Sequence, residues 1–342
     1  MTDTSIKEVA ELAGVSIATV SRCINYPEKV TERTRAKVQD AIAQTGYSPN
    51  TIAQSFRRGR TNLIMVVIPS VGDPFFSALM RGVKRAAQAK GYSVVIEETQ
   101  SNTMTADEVS RMLVSNQTDG IVLLGAISPY GTEILSAKSR RNLPIVVGCE
   151  KVSPDLADLP SVRVDNVAAA SDATNFLIKH GHKRIGMIRG QGSSLLTKDR
   201  ETGYRTAMRE AGLPIGFGWV VEGRMTIPGA RHATRDLLNC ADPPTAIFCA
   251  NDEMAIGCLH ELRDSGLVVP DDVSVIGFDD IRYAEVTVPP LTTIRQPAEE
   301  IGERAIYRIC RRIEEGPDVG NSEPQIVPHK LIVRQSVTAP RE

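Results

Sequence analysis

The sequence predicts an N-terminal all-α helix-turn-helix head followed by an α/β body of two doubly wound parallel-sheet subdomains. Two observations support this fold class. Residues 5–46 repeat their apolar side chains with the period of short amphipathic helices, whereas from Leu63 onward short runs that are apolar throughout alternate with helical segments. Such wholly apolar runs are typical of parallel strands that helices cover on both faces. The 342 residues, 42% of them hydrophobic, are sufficient for a large core.

Three short helices are predicted in the head, and their apolar faces can share one core. Gly14 suits the tight turn after the first helix, and Ser16 is a natural N-cap for the second. Thr31 is the predicted N-cap of the third helix, which ends near Gly46. The inward residues are Ile6, Val9, Ala10 and Ala13, then Val15, Val20 and Ile24, and finally Val38, Ala41 and Ile42. This arrangement leaves the outer face of the second helix free.

The free face of the second helix carries Ser16, Ile17, Ala18, Ser21 and Arg22. In helix-turn-helix proteins the N-terminal residues of this helix reach base edges in the DNA major groove. Arg22 can pair with a guanine through two hydrogen bonds, while Ile17 and Ala18 offer apolar contact, for example to a thymine methyl. The candidate phosphate contacts are the hydroxyls of Thr19 or Ser21, Thr31 and Thr34. The alternative is a three-helix packing module that does not bind DNA.

Charge distinguishes the head from the body. Residues 1–60 contain nine Lys or Arg and six Asp or Glu, which gives +3, and the rest of the chain carries −4 of a total net charge of −1. A positive head on a slightly negative body favours contact with nucleic acid at one end only.

Residues 47–61, YSPNTIAQSFRRGRT, connect the head to the body. Asn50 can cap a helix of about two turns, which is too short to be stable alone in water. Because Ala53 and Phe56 share one face, we expect the helix to form against its copy in a second subunit and against DNA. Phe56 would then be an apolar wedge in the minor groove, with Arg57 beside the phosphate backbone. The alternative is a solvated linker.

Polar and aromatic side chains follow the predicted strands of the body at their carboxyl ends, where doubly wound sheets bind ligands. Asp73, Phe75 and Phe76 follow the first strand, and Arg200 begins a helix after a later one. The others are Asp165, Asn251 and Asp279. Carboxylates, an amide and a guanidinium beside aromatic rings suit a neutral, polyhydroxylated ligand such as a sugar or a nucleoside. The alternatives are helix caps or ion-pair partners for the acids, and a core position for Phe76.

Several other kinds of site lack support in the sequence. The turn at Gly190-Gln191-Gly192-Ser193 lacks the third glycine of a dinucleotide loop and the Gly-Lys-Ser/Thr of a triphosphate loop. His180 and His182 have no third ligand at a spacing suited to a metal, and no Ser-His-Asp constellation can be assigned. The six cysteines include no C-x-x-C pair and are expected to be reduced. We therefore expect no cofactor, no metal and no catalytic residues.

Seven segments, in order along the chain, resemble the lactose-repressor and galactose-repressor (LacI/GalR) family. They are AGVSIATVSRCIN, YSPNTIAQSF, DPFF, HGHKRIG, PTAIFCANDEMAIG, VPDDVSVIGFDD and PPLTTIRQP, and the resemblance extends over essentially the whole chain. The resemblance implies a periplasmic-binding-protein-like body whose subdomains interleave. The expected divisions are 1–47 for the helix-turn-helix domain, 48–61 for the hinge helix and linker, 62–160 with 293–320 for the N-terminal core subdomain, and 161–292 with 321–342 for the C-terminal core subdomain.

The same resemblance implies roles for individual residues. It assigns effector contacts to Phe75, Phe76, Arg200 and Asp279, and it places Met225 where some purine-type members have an aromatic ring. Family members commonly have a leucine wedge where this chain has Phe56, and a bulkier aromatic ring alters the central base step that the wedge would enter.

Together these features predict a homodimeric transcriptional repressor. Two heads and paired hinge helices would grip a pseudo-palindromic operator, while an effector in each cleft alters the angle between the body's subdomains. The C-terminal residues VTAPRE carry no leucine heptad, which favours a dimer over a tetramer. The N-terminus lacks a secretory signal and no apolar run spans a membrane, so a cytoplasmic location is expected. The alternatives are a periplasmic sugar-binding protein and a sugar-processing enzyme.

Overall fold

The chain forms two compact units, Met1–Thr61 and Asn62–Glu342. The computed structural model describes residues 5–47, 60–99, 118–125, 144–151, 159–192, 194–316 and 323–341, with only the backbone of Asn25. The predicted hinge helix, with Asn50, Ala53, Phe56 and Arg57, and the helices expected within 105–116 and 132–140 lie outside these residues. Within the described ranges, no helix combines the length and apolar character needed to cross a membrane.

The first unit contains the three predicted helices around one small core. They are α1 (Ile6–Ala13), α2 (Ile17–Asn25) and α3 (Glu32–Thr45), with a 3-10 turn at Pro27–Lys29 between the last two. Val9 and Val20 are fully buried and Val38 is nearly so, and the remaining predicted inward residues pack around them. The amphipathic period therefore identified the core of this unit correctly.

The turn between α1 and α2 has the predicted backbone. Gly14 adopts a left-handed conformation with φ of 65°, and its N–H donates to the carbonyl groups of Ala10 and Glu11. Ser16 Oγ accepts a hydrogen bond from the backbone N–H of Thr19 at 3.1 Å, as an N-cap does. Thr31 occupies the N-cap position of α3, but its hydroxyl bonds to that of Thr34 at 3.0 Å rather than to a backbone amide.

The first subdomain of the body is built on a six-stranded parallel sheet in the order β11-β5-β4-β3-β1-β2. Its strands are β1 (Leu63–Ile68), β2 (Ser93–Glu98), β3 (Gly120–Leu124), β4 (Ile145–Gly148), β5 (Ser161–Arg163) and β11 (Gln325–Ile326). Every residue of β3 and β4 is buried. The helices α4 (Pro74–Ala89) and α9 (Ala298–Glu315) pack together and contribute to the same core.

The second subdomain has a six-stranded sheet in the order β12-β10-β9-β8-β6-β7. Its strands are β6 (Ile185–Arg189), β7 (Val220–Glu222), β8 (Ala246–Cys249), β9 (Ser274–Asp279), β10 (Thr292–Arg295) and β12 (Lys330–Ile332), of which only β12 runs antiparallel to its neighbour. Its helices are α5 (Asn166–Lys179), α6 (Leu195–Glu210), α7 (Ile227–Leu238) and α8 (Asp252–Asp264). Both subdomains are thus doubly wound, as the sequence predicts.

The strands are divided between the two sheets differently from the sequence-based expectation. The run VRV was expected to open the second subdomain, but β5 pairs with β4 and β11 in the first sheet. Conversely, β10 was expected in the first subdomain and pairs with β9 and β12 in the second. The chain therefore crosses between subdomains after β5, after β10 and after β11. Apolar patterning predicts that a strand is buried, but pairing partners decide which sheet it joins.

Candidate functional site

A cavity of about 610 Å³ lies between the two subdomains of the body. Its wall is formed by residues at or just beyond the carboxyl ends of strands from both sheets, the usual ligand position in doubly wound folds. The lining residues described are Pro69, Ser70, Gly72, Asp73, Phe75, Phe76, Thr99, Gly125, Cys149, Glu150, Gln191, Ser194, Leu196, Thr197, Arg200, Arg224, Met225, Thr226, Asn251, Glu253, Asp279 and Gln296.

The structure brings seven of the eight predicted effector residues to this cavity; they are Asp73, Phe75, Phe76, Arg200, Met225, Asn251 and Asp279. Asp165 is the exception. Its carboxylate is exposed and accepts hydrogen bonds from the backbone N–H groups of Val167 at 3.1 Å and Ala168 at 3.2 Å. Asp165 therefore caps α5, which is the alternative that the sequence left open for each strand-end acid.

Arg200 is almost fully buried and is held by groups from several elements. Its Nε donates to Asn166 Oδ1 at 3.0 Å, and its Nη1 donates to the carbonyl oxygen of Ala250. The guanidinium lies 3.7 Å from the centre of the Phe278 ring, and Nη2 is 3.6 Å from Asp279 Oδ1. Burial lowers the pKa of Arg200 below its ordinary value, and the charge of Asp279 opposes that shift. The side chain thus has a fixed position at the cavity wall.

Three carboxyl groups at the cavity have raised pKa values. Burial raises the pKa of Asp279 to about 7, although the charge of Arg200 opposes the shift. Burial also raises the pKa of Asp73, which caps α4 by accepting from the N–H of Phe75 at 2.8 Å. The pKa of Glu253 is raised by burial and by the charge of Asp73. The cavity therefore concentrates acidic groups in a poorly solvated place.

The aromatic residues of the cavity serve the core as well. Phe75 and Phe76 are both buried and meet edge to face, with ring centroids 5.3 Å apart. Both belong to the core of the first subdomain, and both also line the cavity. The two sequence-based interpretations of Phe76 are therefore compatible. Asn251 is similar, because its Oδ1 accepts from the N–H of Met254 at 2.9 Å as the N-cap of α8.

Sequence reasoning missed several polar residues of the cavity, notably Glu150, Thr197, Glu253 and Gln296. Glu253 lies two positions after Asn251 in the first turn of α8. A search for polar residues extended one helical turn beyond each strand end would therefore have identified it. Gln296 follows β10, which was expected in the other subdomain. Among the described residues, Thr197 Oγ1 and Gln296 Oε1 are buried without a hydrogen-bond partner.

The predicted DNA-contacting residues of the head lie on α2 and its N-cap and at the start of α3. Ser16, Ile17, Ala18 and Arg22 are exposed, and Thr19 and Ser21 are half-buried. Ile17 is 45% exposed, so its side chain is accessible for the apolar base contact that the sequence predicts. Thr31 is exposed and Thr34 is half-buried.

Comparison with known proteins places the chain among bacterial regulators. Residues 5–50 match the model "Bacterial regulatory proteins, lacI family", and residues 174–337 match "Periplasmic binding protein-like domain". The HTH-type transcriptional repressor CytR of Escherichia coli (strain K12) is 37% identical over 338 residues, which cover 99% of this chain and 97% of that repressor.

Two solved structures are similar over nearly the whole chain. The lac repressor dimer bound to operator and the anti-inducer ONPF has a TM-score of 0.84 at 27% identity, covering 98% of this chain and 99% of that chain. The complex of the transcriptional regulator CelR with cellobiose has a TM-score of 0.73 at 31% identity, covering 97% of this chain and 99% of that chain.

Proposed function

Because this chain belongs to the lacI family of bacterial regulatory proteins, we propose that its cavity binds a neutral, polyhydroxylated effector that controls operator binding by the head. The protein is a DNA-binding transcriptional repressor rather than an enzyme, as its relatives are. The observation that carries the proposal is the cavity, where side chains from both subdomains meet at the carboxyl ends of the strands. A sugar or a nucleoside is the effector class that fits these groups.

The chemistry of the cavity wall supports this class. Hydroxyl groups of the effector would donate to the carboxylates of Asp73 and Asp279 and accept from Arg200 and Asn251. The rings of Phe75 and Phe76 form an apolar surface in the wall of the first subdomain. The structure of the similar regulator CelR is a complex with cellobiose, so a protein of this fold binds a sugar.

The head supports recognition of a pseudo-palindromic operator by a homodimer. In this proposal Arg22, Ile17 and Ala18 read base edges from the free face that also carries Ser16. Hydroxyls of Thr19 or Ser21, Thr31 and Thr34 fix the register on the phosphates. The hinge residues Asn50, Ala53, Phe56 and Arg57 would form paired helices in the minor groove. Since its target is chromosomal DNA, the protein would act in the cytoplasm.

Operator recognition is tested by selecting bound fragments from a random-sequence duplex library with the full-length protein. We expect an enriched pseudo-palindrome whose affinity falls steeply with salt, because phosphate contacts release counterions. Absence of any enriched sequence, or a slope near zero in a plot of log affinity against log salt, would contradict the proposal.

Effector binding is tested by thermal shift with a panel of pentoses, hexoses and nucleosides, followed by operator affinity with each hit. A ligand that binds the folded state raises the melting temperature, and an effector must also change the operator Kd. Arg200→Met should abolish the shift, whereas Arg209→Met, an exposed residue of the same helix, should leave it intact. A panel that neither stabilises the protein nor changes operator affinity would refute the effector assignment.

A further inference from the structure

The wall of the cavity carries more negative than positive groups. Among the described lining residues, four acids accompany two arginines. The acids are Asp73, Glu150, Glu253 and Asp279, and the arginines are Arg200 and Arg224. Arg224 is largely exposed, with 75% of its side chain accessible, and its Nε lies 3.7 Å from Glu222 Oε1. Arg200 is therefore the buried cation of this wall.

Part of the hydrogen-bonding capacity of Arg200 is already used within the protein. A guanidinium has five N–H donors. Nε and Nη1 already donate to Asn166 and to the carbonyl of Ala250, and Nη2 faces Asp279 Oδ1 at 3.6 Å. Two of the five N–H groups are thus bound within the protein and a carboxyl group faces the charge, so Arg200 attracts an anionic ligand less strongly than an unpaired arginine would.

Gln296 adds an acceptor to the same wall. Its Nε2 donates to Asp279 Oδ1 at 2.6 Å, which fixes the orientation of the amide. The amide oxygen Oε1 is then buried, and among the described residues it has no partner. A buried acceptor without a partner costs free energy until a donor reaches it. The cavity thus presents an unsatisfied acceptor in addition to its excess of acids.

Two of the acids come from opposite subdomains. Asp73 caps α4 in the first subdomain, and Glu253 lies in the first turn of α8 in the second. Neither carboxyl group forms an ion pair with any residue that the structure describes. Both carboxyl groups line the same cavity, where the charge of Asp73 adds to burial in raising the pKa of Glu253; burial also raises the pKa of Asp73, and the charge of Arg200 opposes that rise.

We infer that the effector carries a protonated amino group in addition to its hydroxyls, and that this group is bound between Asp73 and Glu253. This inference rests on the proposed effector function of the cavity and narrows its ligand class. An ammonium supplies one positive charge and three donors, whereas a hydroxyl supplies a single neutral donor. It would offset the negative charge of the two acids and connect the subdomains. A phosphate ester would instead add about two negative charges and be rejected.

The test uses matched trios that share one carbon skeleton. They are D-glucose, D-glucosamine and D-glucose 6-phosphate; the corresponding D-galactose trio; and adenosine, 3′-amino-3′-deoxyadenosine and adenosine 5′-monophosphate. Binding to the full-length protein is measured at pH 7 by thermal shift and calorimetry. In at least one trio we expect the amine to bind at least tenfold more tightly than the unmodified sugar or nucleoside, its parent compound. We expect the phosphate ester of that trio not to bind.

Two variants localise the amino group. Glu253→Gln keeps the size of the side chain and removes its charge, so the preference for the amine over its parent should fall about tenfold. Asp73→Asn should act in the same direction. Glu210→Gln, at the exposed end of α6, makes the same change of charge away from the cavity and should leave the preference unchanged.

Several outcomes would overturn the inference. The inference fails if a phosphate ester binds more tightly than the amine of its trio, or if none of the amines binds. It also fails if the unmodified compound binds as well as its amine in every trio, or if the preference for the amine is unchanged in Glu253→Gln. If neutral sugars or nucleosides still change operator affinity in these cases, the proposed function stands and only the amine assignment fails.

Discussion

At the scale of single residues, Asp279 combines several constraints in one position. It ends β9 with φ of 114°, a backbone region that residues other than glycine rarely adopt. Its carboxylate accepts from Gln296 and approaches Arg200, yet burial still raises its pKa to about 7. Strained and poorly solvated side chains of this kind concentrate at ligand sites, where binding energy offsets their cost.

The raised pKa of Asp279 predicts a specific pH dependence of stability. The folded state holds this proton up to about pH 7, whereas the ordinary pKa is 3.8, so stability is lost as the pH rises between these values. Above pH 7, the free energy of unfolding that is lost through this titration is at most about 4 kcal/mol. Asp279→Asn should therefore raise the melting temperature more at pH 8 than at pH 5. An equal effect at both pH values would show that Asp279 does not titrate in this window.

Arg22 is the residue expected to contribute most to operator discrimination, because it is the exposed cation on the free face of α2. Loss of a two-bond contact to guanine costs about 1–3 kcal/mol of discrimination. Arg22→Ala should thus reduce the ratio of operator to random-duplex affinity about 5- to 150-fold and leave the melting temperature of the body unchanged. Lys37→Ala, an exposed basic residue of α3, is the control. Equal loss of discrimination in both variants would refute base reading by Arg22.

At the scale of secondary-structure elements, the sequence predicted most helices and strands but not all of their partners. The helical spacing of apolar residues in the head identified Val9, Val20 and Val38 as core residues. Each lies on the apolar face of a short helix, and that face can pack only against the other helices of the head. The sheet to which β5 and β10 belong depends on contacts remote in sequence, which a local pattern does not contain. Family resemblance supplied the interleaving in outline, and the pairing of strands fixed its crossing points.

The cavity shows the same division between local and remote information. Seven of the eight predicted residues reach it because a strand end is a local feature, recognisable from the apolar run before it. Asp165 does not reach it, since an acid at such a place has a competing local use as a helix cap. Gln296 was missed because its strand was expected in the other subdomain.

The packing of α4 on α9 leaves no room for a side chain at Gly82. A Cβ at Gly82 would overlap the backbone carbonyl of Glu299, which cannot move without shifting α9. Gly82→Ala should lower the free energy of unfolding by about 1–3 kcal/mol, as overpacking of a core does. Urea unfolding measures this as a lower midpoint with an unchanged slope. Gln88→Ala, exposed on α4, should change the midpoint little; an unaffected Gly82→Ala would mean that the helices separate easily.

At the scale of the whole molecule, the body is built to couple its two subdomains. The chain crosses between them three times, after β5, β10 and β11. Asn166 Nδ2 donates to the carbonyl oxygen of Cys149 at 3.1 Å, which joins the start of α5 to the segment after β4. Lys151 Nζ lies 3.1 Å from Asp199 Oδ1 and adds an ion pair between the same segment and α6. A ligand between the subdomains therefore acts on contacts that both share.

Such a body predicts reciprocal coupling between effector and operator. If saturating effector changes the operator Kd by some factor, operator must change the effector Kd by the same factor, typically about 5–150-fold. Lys151→Met removes the ion pair between the subdomains. Because that pair is partly exposed, we expect it to change coupling by no more than about fivefold. Lys183→Met, which is exposed in the second subdomain, is the control. Both factors should change together in Lys151→Met; factors that differ beyond experimental error would show that effector and operator do not act on one shared equilibrium.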